Sequence, residues 1–258
     1  MVDFSSLSSS DNVLSIVIFL IFMIIVFIIF IRISTALLSY IFSLNGHVKI
    51  ISGVCAGDVR LTIPQDPSID GAITVQRSDD KTGGIEFTWS VWLFINKIDP
   101  DKLYQNVFVK GTSDAANGIT SVNCPGLYIT DTGDLCLVIN TFTLVNDLIY
   151  IPDIPLGNWV QVVVTCEDKT VNVYINGVLL KSKLIMGTVK QNYGDVNIAL
   201  NGGFNGVLSD LWYWNKTLSV LEIQKLFARG PNTYSSNSTA NNYKNKPKSN
   251  YLSLDYYI

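Results

Sequence analysis

Hydrophobic positions fall into two regimes along this chain. From Val13 to Ile31 there is no charged residue, and Ser15 is the only hydroxyl-bearing one. At 1.5 Å per residue this run is long enough to cross a hydrocarbon core of about 30 Å. It is apolar on every side, unlike a helix that buries one stripe in a soluble core. A cleaved secretory signal fits poorly: no basic residue precedes the run, its apolar core exceeds the usual ~7–15 residues, and no clean small-x-small cleavage site follows. The pattern predicts a retained transmembrane helix. Past Arg32, apolar residues continue through Tyr40-Ile-Phe42, so the helix and its extension are assigned to 13–44, with Asn45-Gly46 as a stop.

Beyond residue 46 the period changes to two. The clearest stretch is Gly157–Leu180. Val160, Val162 and Val164 alternate with Trp159, Gln161 and Val163; after Glu167-Asp-Lys-Thr170, Val171, Val173 and Ile175 alternate with Asn172 and Tyr174. Asn176-Gly177 then provides the pair best suited to a type I′ hairpin turn. Three strands cannot stand alone, so more sheet must surround them. Ile85–Ile95 is a second strong strand, rich in aromatic and β-branched residues. Shorter ones are expected at Val48–Ile51, Val59–Ile63, Ala72–Gln76, Asn106–Lys110, Leu127–Thr130, Leu135–Thr141, Leu148–Ile151, Val196–Leu200 and Gly206–Trp214. In the last of these, alternation sets Trp212 and Trp214 on one face, expected to be the core face or, alternatively, a surface that stacks against a sugar ring, with Tyr213 on the other. A single helix is expected at Val220–Ala228. Ser219 and Glu222 make its capping box, Leu218 and Ile223 its hydrophobic staple, and Gly230-Pro231 its stop.

The expected organisation is a polar segment 1–12, the membrane segment 13–44, one β domain 46–230, and a tail 231–258 rich in Asn, Ser, Lys and Tyr. Most of that tail is too polar to bury a core.

Composition adds little to this until charge is considered. Charged residues make up 15% of the chain, against roughly 25% in ordinary domains, and the apolar run accounts for much of the deficit. A net charge of -3 disfavours nucleic-acid binding. Arg32 and Lys49 follow the apolar run and no basic residue precedes it, so the positive-inside rule places the C-terminal domain on the cytoplasmic side. In the opposite orientation the sequons at Asn215 and Asn237 become glycosylation sites. The four cysteines, Cys55, Cys124, Cys136 and Cys166, have no zinc spacing and are expected to be free and mostly buried.

Several stretches together resemble laminin-G-like domains of the concanavalin A-like lectin and glucanase type. Phe87-Thr-Trp-Ser-Val-Trp-Leu-Phe94 is similar to their early strand, and Lys110-Gly111 to the Lys-Gly after the next one. Trp159-Val-Gln-Val-Val-Val-Thr165 with Val173-Tyr-Ile-Asn-Gly177 resembles their central hairpin. Phe204–Ile223 resembles their closing strand and helix. The resemblance implies an all-β jelly-roll sandwich of two antiparallel sheets, with one short C-terminal helix following the strands.

Catalytic chemistry is poorly provided for. Glycosidases of this fold resemble one another in a Glu-x-Asp-x-Glu strand, but the three Glu here, Glu86, Glu167 and Glu222, share no strand. His47 is the only histidine and follows the membrane segment, so a Ser-His or Cys-His pair has no natural place. No enzyme activity is expected. Many domains of the family hold Ca²⁺ at a rim through Asp side chains and backbone carbonyls. Asp114 and Asn117 are the metal candidates, and Asp131 and Asp134 carry similar oxygens; each set also serves as ordinary turn chemistry. Ligand contacts are expected at the rim loops that carry Asp131, Asp134, Asn201 and Asn205. The expected function is recognition of a glycan or protein by a single-pass membrane protein. The rival reading is a structural tether between a membrane and a protein shell, as in virions of large DNA viruses. This rests on architecture, which does not fix function.

Overall fold

The computed structural model describes residues 13–42, 46–78, 84–116 and 118–234. The expectations for the polar N-terminal segment, for Asn117, for Asn237 and for most of the tail lie outside these residues. The chain divides into two compact units, one holding the apolar helix and the other the β domain. The helix, α1 (Val13–Phe42), runs unbroken for 30 residues, about 45 Å at the ordinary rise. Its stretch Ile16–Leu38 is long and apolar enough to cross a membrane, and none of it is buried.

The β domain is a two-sheet antiparallel jelly-roll sandwich. Its strands are β1 (His47–Lys49), β2 (Val54–Ala56), β3 (Leu61–Ile63), β4 (Glu86–Lys97), β5 (Tyr104–Gly111), β6 (Ala115–Ala116), β7 (Ile119–Thr120), β8 (Asn123–Thr130), β9 (Leu135–Ile139), β10 (Asp147–Ile151), β11 (Trp159–Glu167), β12 (Thr170–Ile175), β13 (Val178–Leu184), β14 (Val196–Ile198) and β15 (Asn205–Trp214). One sheet runs β1-β15-β4-β11-β12-β13, with β2 also on β15; the other runs β10-β9-β8-β5-β14-β3. β6 and β7 form a small separate hairpin.

The alternation read from sequence decides which side chains meet between the sheets. Phe87, Trp89, Val91, Leu93 and Ile95 of β4, with Val160, Val162 and Val164 of β11, face Phe108, Leu127, Ile129, Leu135 and Leu137 across one continuous core. Trp89 stacks on Phe108 at 5.3 Å and tilts against Tyr213 at 5.0 Å. The other face of the first sheet is covered by α2 (Val220–Arg229), where Leu218 and Ile223 pack with Val163 and Tyr174. The capping box forms as expected: Ser219 Oγ accepts from the Glu222 backbone N–H, and the Glu222 carboxylate accepts from the Ser219 N–H at 2.8 Å.

Several expectations need correction. Tyr213, not the Trp pair, enters the core; it is buried and its hydroxyl donates to the Gln76 carbonyl at 2.6 Å. Trp212 and Trp214 lie half-buried on the outer face, stacked on each other at 5.6 Å. A register shift in the β15–β4 ladder between Ser209 and Trp212 changes which residues point inward. Ala72–Gln76 forms no ladder; Gln65 instead holds it, its side chain accepting from Val75 N at 2.8 Å and donating to Ile73 O at 2.8 Å. Strand β2 was not anticipated. Part of the expected 201–205 loop is a 3₁₀ turn, Leu200–Gly202. All four cysteines are free, three of them buried and Cys55 half-buried.

Candidate functional site

A concavity lies at one end of the sandwich. It is a cleft of about 680 Å³ whose lining includes Asp58, Asn96, Lys97, Asp99, Asp101, Lys102, Gly202, Gly203 and Asn205. Three segments build it, and each is fixed by a local feature. The β4–β5 loop is tied down by Gln105, which is buried; its Nε2 donates to Asp99 O and its Oε1 accepts from Asp99 N, both at 3.4 Å. The 199–206 segment is hung on β5: the Leu200 N–H donates to Asn106 Oδ1 at 3.1 Å and the Ala199 N–H to Val107 O at 3.3 Å. Its turn needs left-handed backbone at Ala199, Asn201, Gly202 and Gly203. The third segment, around Gly57 and Asp58, is clamped to it by two hydrogen bonds of 2.9 Å, Phe204 N to Gly57 O and Gly57 N to Gly206 O. Phe204 plugs the floor and is buried. Gly206 permits the close approach expected of it: a Cβ there would sit 2.1 Å from Phe94 O.

Lys102 joins two of these segments. Its ammonium donates to Gly202 O at 3.2 Å and stands 4.0 Å from Asp99 Oδ2. Asp99 Oδ1 accepts from the Asp101 N–H at 3.2 Å, an Asx turn that stiffens the loop. Asn96 Nδ2 donates to Asn205 Oδ1 at 3.3 Å across the cleft wall. The lining therefore offers amides, carboxylates and backbone groups around a concave surface. Its three carboxylates, Asp58, Asp99 and Asp101, outnumber its two ammonium groups, Lys97 and Lys102.

The structure brings some of the sequence candidates together and separates others. Asn205 lines the cleft, and Asn201 is exposed beside Gly202. Asp131 and Asp134 belong to the β8–β9 turn; Gly133 of that turn lies against Ile98, which also lines the cleft. Asp131 is exposed, while Asp134 Oδ2 accepts from Thr132 Oγ1 at 3.2 Å. Asp114 is at the opposite end of β5. The β5–β8 register pairs Tyr104 with Thr130 and Gly111 with Asn123, so about 23 Å of strand separates the two ends. There Asp114 borders a shallow hollow of about 460 Å³ with Arg60, Thr62 and Asp195. Hydrogen bonds from Thr112 and then Ser121 hold its carboxyl below the usual carboxylate range, the Ser121 bond being 2.7 Å. Among the described residues no group of three or more His, Cys, Asp or Glu side chains converges on a point where a metal could sit. Asn215 is half-buried; its N–H donates to Gly46 O at 2.8 Å, and Thr217 of the same sequon donates its hydroxyl to Cys166 O at 2.9 Å.

Sequence reading missed most of the cleft. Asp58, Asn96, Lys97, Asp99, Asp101 and Lys102 carry no motif that singles them out. The stretch Asn96-Lys-Ile-Asp-Pro-Asp-Lys102 does carry a signal, a polar Pro-containing loop straight after the strongest strand.

Parts of several solved structures are similar to this chain. Among the solved structures similar to this chain is the receptor binding domain of botulinum neurotoxin C/D mosaic serotype, at 13% identity and a TM-score of 0.45, covering 57% of this chain and 36% of that one. The botulinum neurotoxin serotype D ligand binding domain in complex with N-acetylneuraminic acid matches at 14% and 0.47, covering 69% and 46%. Trypanosoma rangeli sialidase matches at 17% and 0.42, covering 55% and 22%. The chain spans less than half the length of each, and at these scores the likenesses say nothing of its ligand or activity. No curated protein matches the sequence significantly. The family model described as the concanavalin A-like lectin/glucanases superfamily matches residues 67–224, more than half of the chain and every strand of the two sheets except β1, β2 and β3. The chain belongs to the concanavalin A-like lectin/glucanase superfamily.

Proposed function

We propose that this chain is a membrane-anchored recognition protein that binds a glycan in the rim cleft without catalysing a reaction on it. The observation that carries this is the cleft itself: a concave wall of Asn96, Asn205, Asp58 and Asp101 with backbone exposed at Gly202. Amides, carboxylates and bare backbone are the donors and acceptors that sugar hydroxyls require. The excess of carboxylates over ammonium groups favours a neutral or basic sugar over an anionic one. The lectin-like fold is consistent with such a ligand.

The lining of the cleft speaks against catalysis. It contains no Glu and no His, and Asp99 is committed to the Asp101 amide and faced by Lys102. The length of α1 and the unbroken apolar run 13–31 within it support the anchor, and Arg32 after that run, with Lys49 beyond the helix, supports a cytoplasmic C-terminal domain.

A glycan array probed with the full chain in detergent, with and without Ca²⁺, tests the ligand. Binding of neutral glycans that Asn205→Ala reduces at least tenfold is the expected result. A blank array in both conditions, or binding that Asn205→Ala and Asp101→Ala leave untouched, overturns the cleft assignment. Protease protection on sealed microsomes tests the orientation; a sandwich protected in the lumen, with Asn215 glycosylated, reverses it.

A further inference from the structure

The most open strand of the sandwich is β13. It ends the seven-stranded sheet, paired to β12 on one side and to no described strand on the other. Every one of its residues except Lys183 is exposed, Val178 and Leu184 to 67% and 73%. The apolar surface continues beyond the strand. Met186 and Phe142 are 70% and 72% exposed. Their segments are joined by Phe142 N donating to Thr188 O at 3.0 Å and by Thr143 Oγ1 donating to Met186 O.

Register sorts the side chains of β13. Lys181 stands opposite Val173 and Lys183 opposite Val171, on the core side of the sheet; Leu179, Ser182 and Leu184 stand opposite Tyr174, Asn172 and Thr170, on the outer side. Lys183 bridges to the other sheet, donating to Asp147 Oδ1 at 2.5 Å and to Leu148 O at 2.9 Å. Lys181 has no ion-pair partner among the described residues.

An open apolar edge recruits extended chain unless something prevents it. The lysines decide what it recruits. If two copies paired through β13 in the antiparallel register centred on Lys181, the unpaired Lys181 of one would stand directly opposite that of the other, and like charges directly opposite are destabilising. The same pattern complements a strand with carboxylates on one face and apolar residues on the other. We propose that the β13 edge captures an extended segment of another protein that alternates acidic and apolar residues, adding it to the sheet as one more strand. Backbone hydrogen bonds to the free edge of β13 supply affinity. Carboxylates beside Lys181 and apolar side chains beside Leu179 and Leu184 supply register. This surface is separate from the rim cleft and does not depend on a glycan ligand.

The test uses the full chain in detergent and a fluorescent peptide of alternating leucine and glutamate, followed by anisotropy and by hydrogen exchange. The expected result is saturable binding, with alternate amides of β13 exchanging at least tenfold more slowly. Lys181→Glu should weaken that peptide about tenfold and confer binding of the matching leucine–lysine peptide. Lys181 is solvent-exposed at the sheet edge, so unchanged exchange in β4 and β11 will report an intact fold. No binding, binding that leaves β13 exchange unchanged, equal binding of both peptides, or a self-associated chain whose β13 is already protected without peptide would each overturn the proposal.

Discussion

Replacing Gly203 with Ala should unfasten the cleft. Gly203 has φ 43° and ψ −135°, a conformation open to glycine alone. A Cβ there would lie 2.0 Å from Gly57 O and 2.7 Å from Ala199 Cβ. The first obstacle is a backbone carbonyl, so no side-chain rotation relieves it. The conformational cost is of order 1–3 kcal/mol. Separating the two chains to make room also breaks the Phe204 N to Gly57 O bond of 2.9 Å, worth about 1 kcal/mol. A loss of about 3 kcal/mol is expected. Gly157→Ala is the control. Gly157 also has positive φ, 67°, but nothing lies within 4 Å of its added Cβ, so about 1 kcal/mol should be lost. Guanidinium unfolding of the full chain reads both, because all five tryptophans lie in the sandwich and none in α1. If Gly203→Ala falls within 0.5 kcal/mol or so of Gly157→Ala at equal m-value, the clamp is not what holds the rim. Glycan binding supplies a second reading. Gly203→Ala should abolish it at temperatures where the sandwich remains folded, and Gly157→Ala should not.

Four other outcomes follow from the same contacts. Ser219→Ala removes the α2 cap and should cost about 1 kcal/mol in denaturant unfolding. Glu222 is held at about 2 by the Ser219 backbone N–H, then the Ser219 hydroxyl and Lys216; its contribution is full above its unfolded value near 4.5 and lost as pH falls toward 2, so wild type and Glu222→Gln should converge in Tm on acidification, and curves that stay parallel refute the assignment. Lys110 is pushed down to about 8 by burial, so between about 8 and 10.5 the unfolded chain holds a proton that the native one has shed; stability attributable to Lys110 rises with pH there, and Lys110→Met should lack that rise in a Tm-versus-pH series. Lys102→Met should lower glycan affinity about tenfold with a shift in unfolding free energy under about 0.5 kcal/mol, since the side chain is exposed and its losses are confined to the rim; a large loss of stability would make Lys102 structural.

Local periodicity and local hydrogen bonding are enough to fix part of this protein. An uninterrupted apolar run can only be α1, because a helix satisfies its own backbone groups. The period of two at 85–95 and 157–180 names the faces of β4 and β11, because adjacent side chains must point oppositely. The Asn176-Gly177 turn and the Ser219–Glu222 cap are short-range chemistry, and both stand where they were expected. Elsewhere the alternation rule failed where a bulge intervened. In β15 the shift between Ser209 and Trp212 moved Tyr213 into the core and left the tryptophans outside, and nothing local announces such a shift. The candidate site shows the same division. Asp131, Asp134, Asn201 and Asn205 were legible as rim residues because turn chemistry marks loops. That Asp58, Asp99, Asp101 and Lys102 join Asn205 in one cleft, while Asp131, Asp134 and Asn201 stay outside its lining and Asp114 lies a strand's length away, was decided only by strand order. β5 carries one loop at each of its ends, and the residues that close the cleft come from segments some 40 to 150 positions apart in the chain. Distance along the sequence carries no trace of that meeting, which exists only once the two sheets have packed.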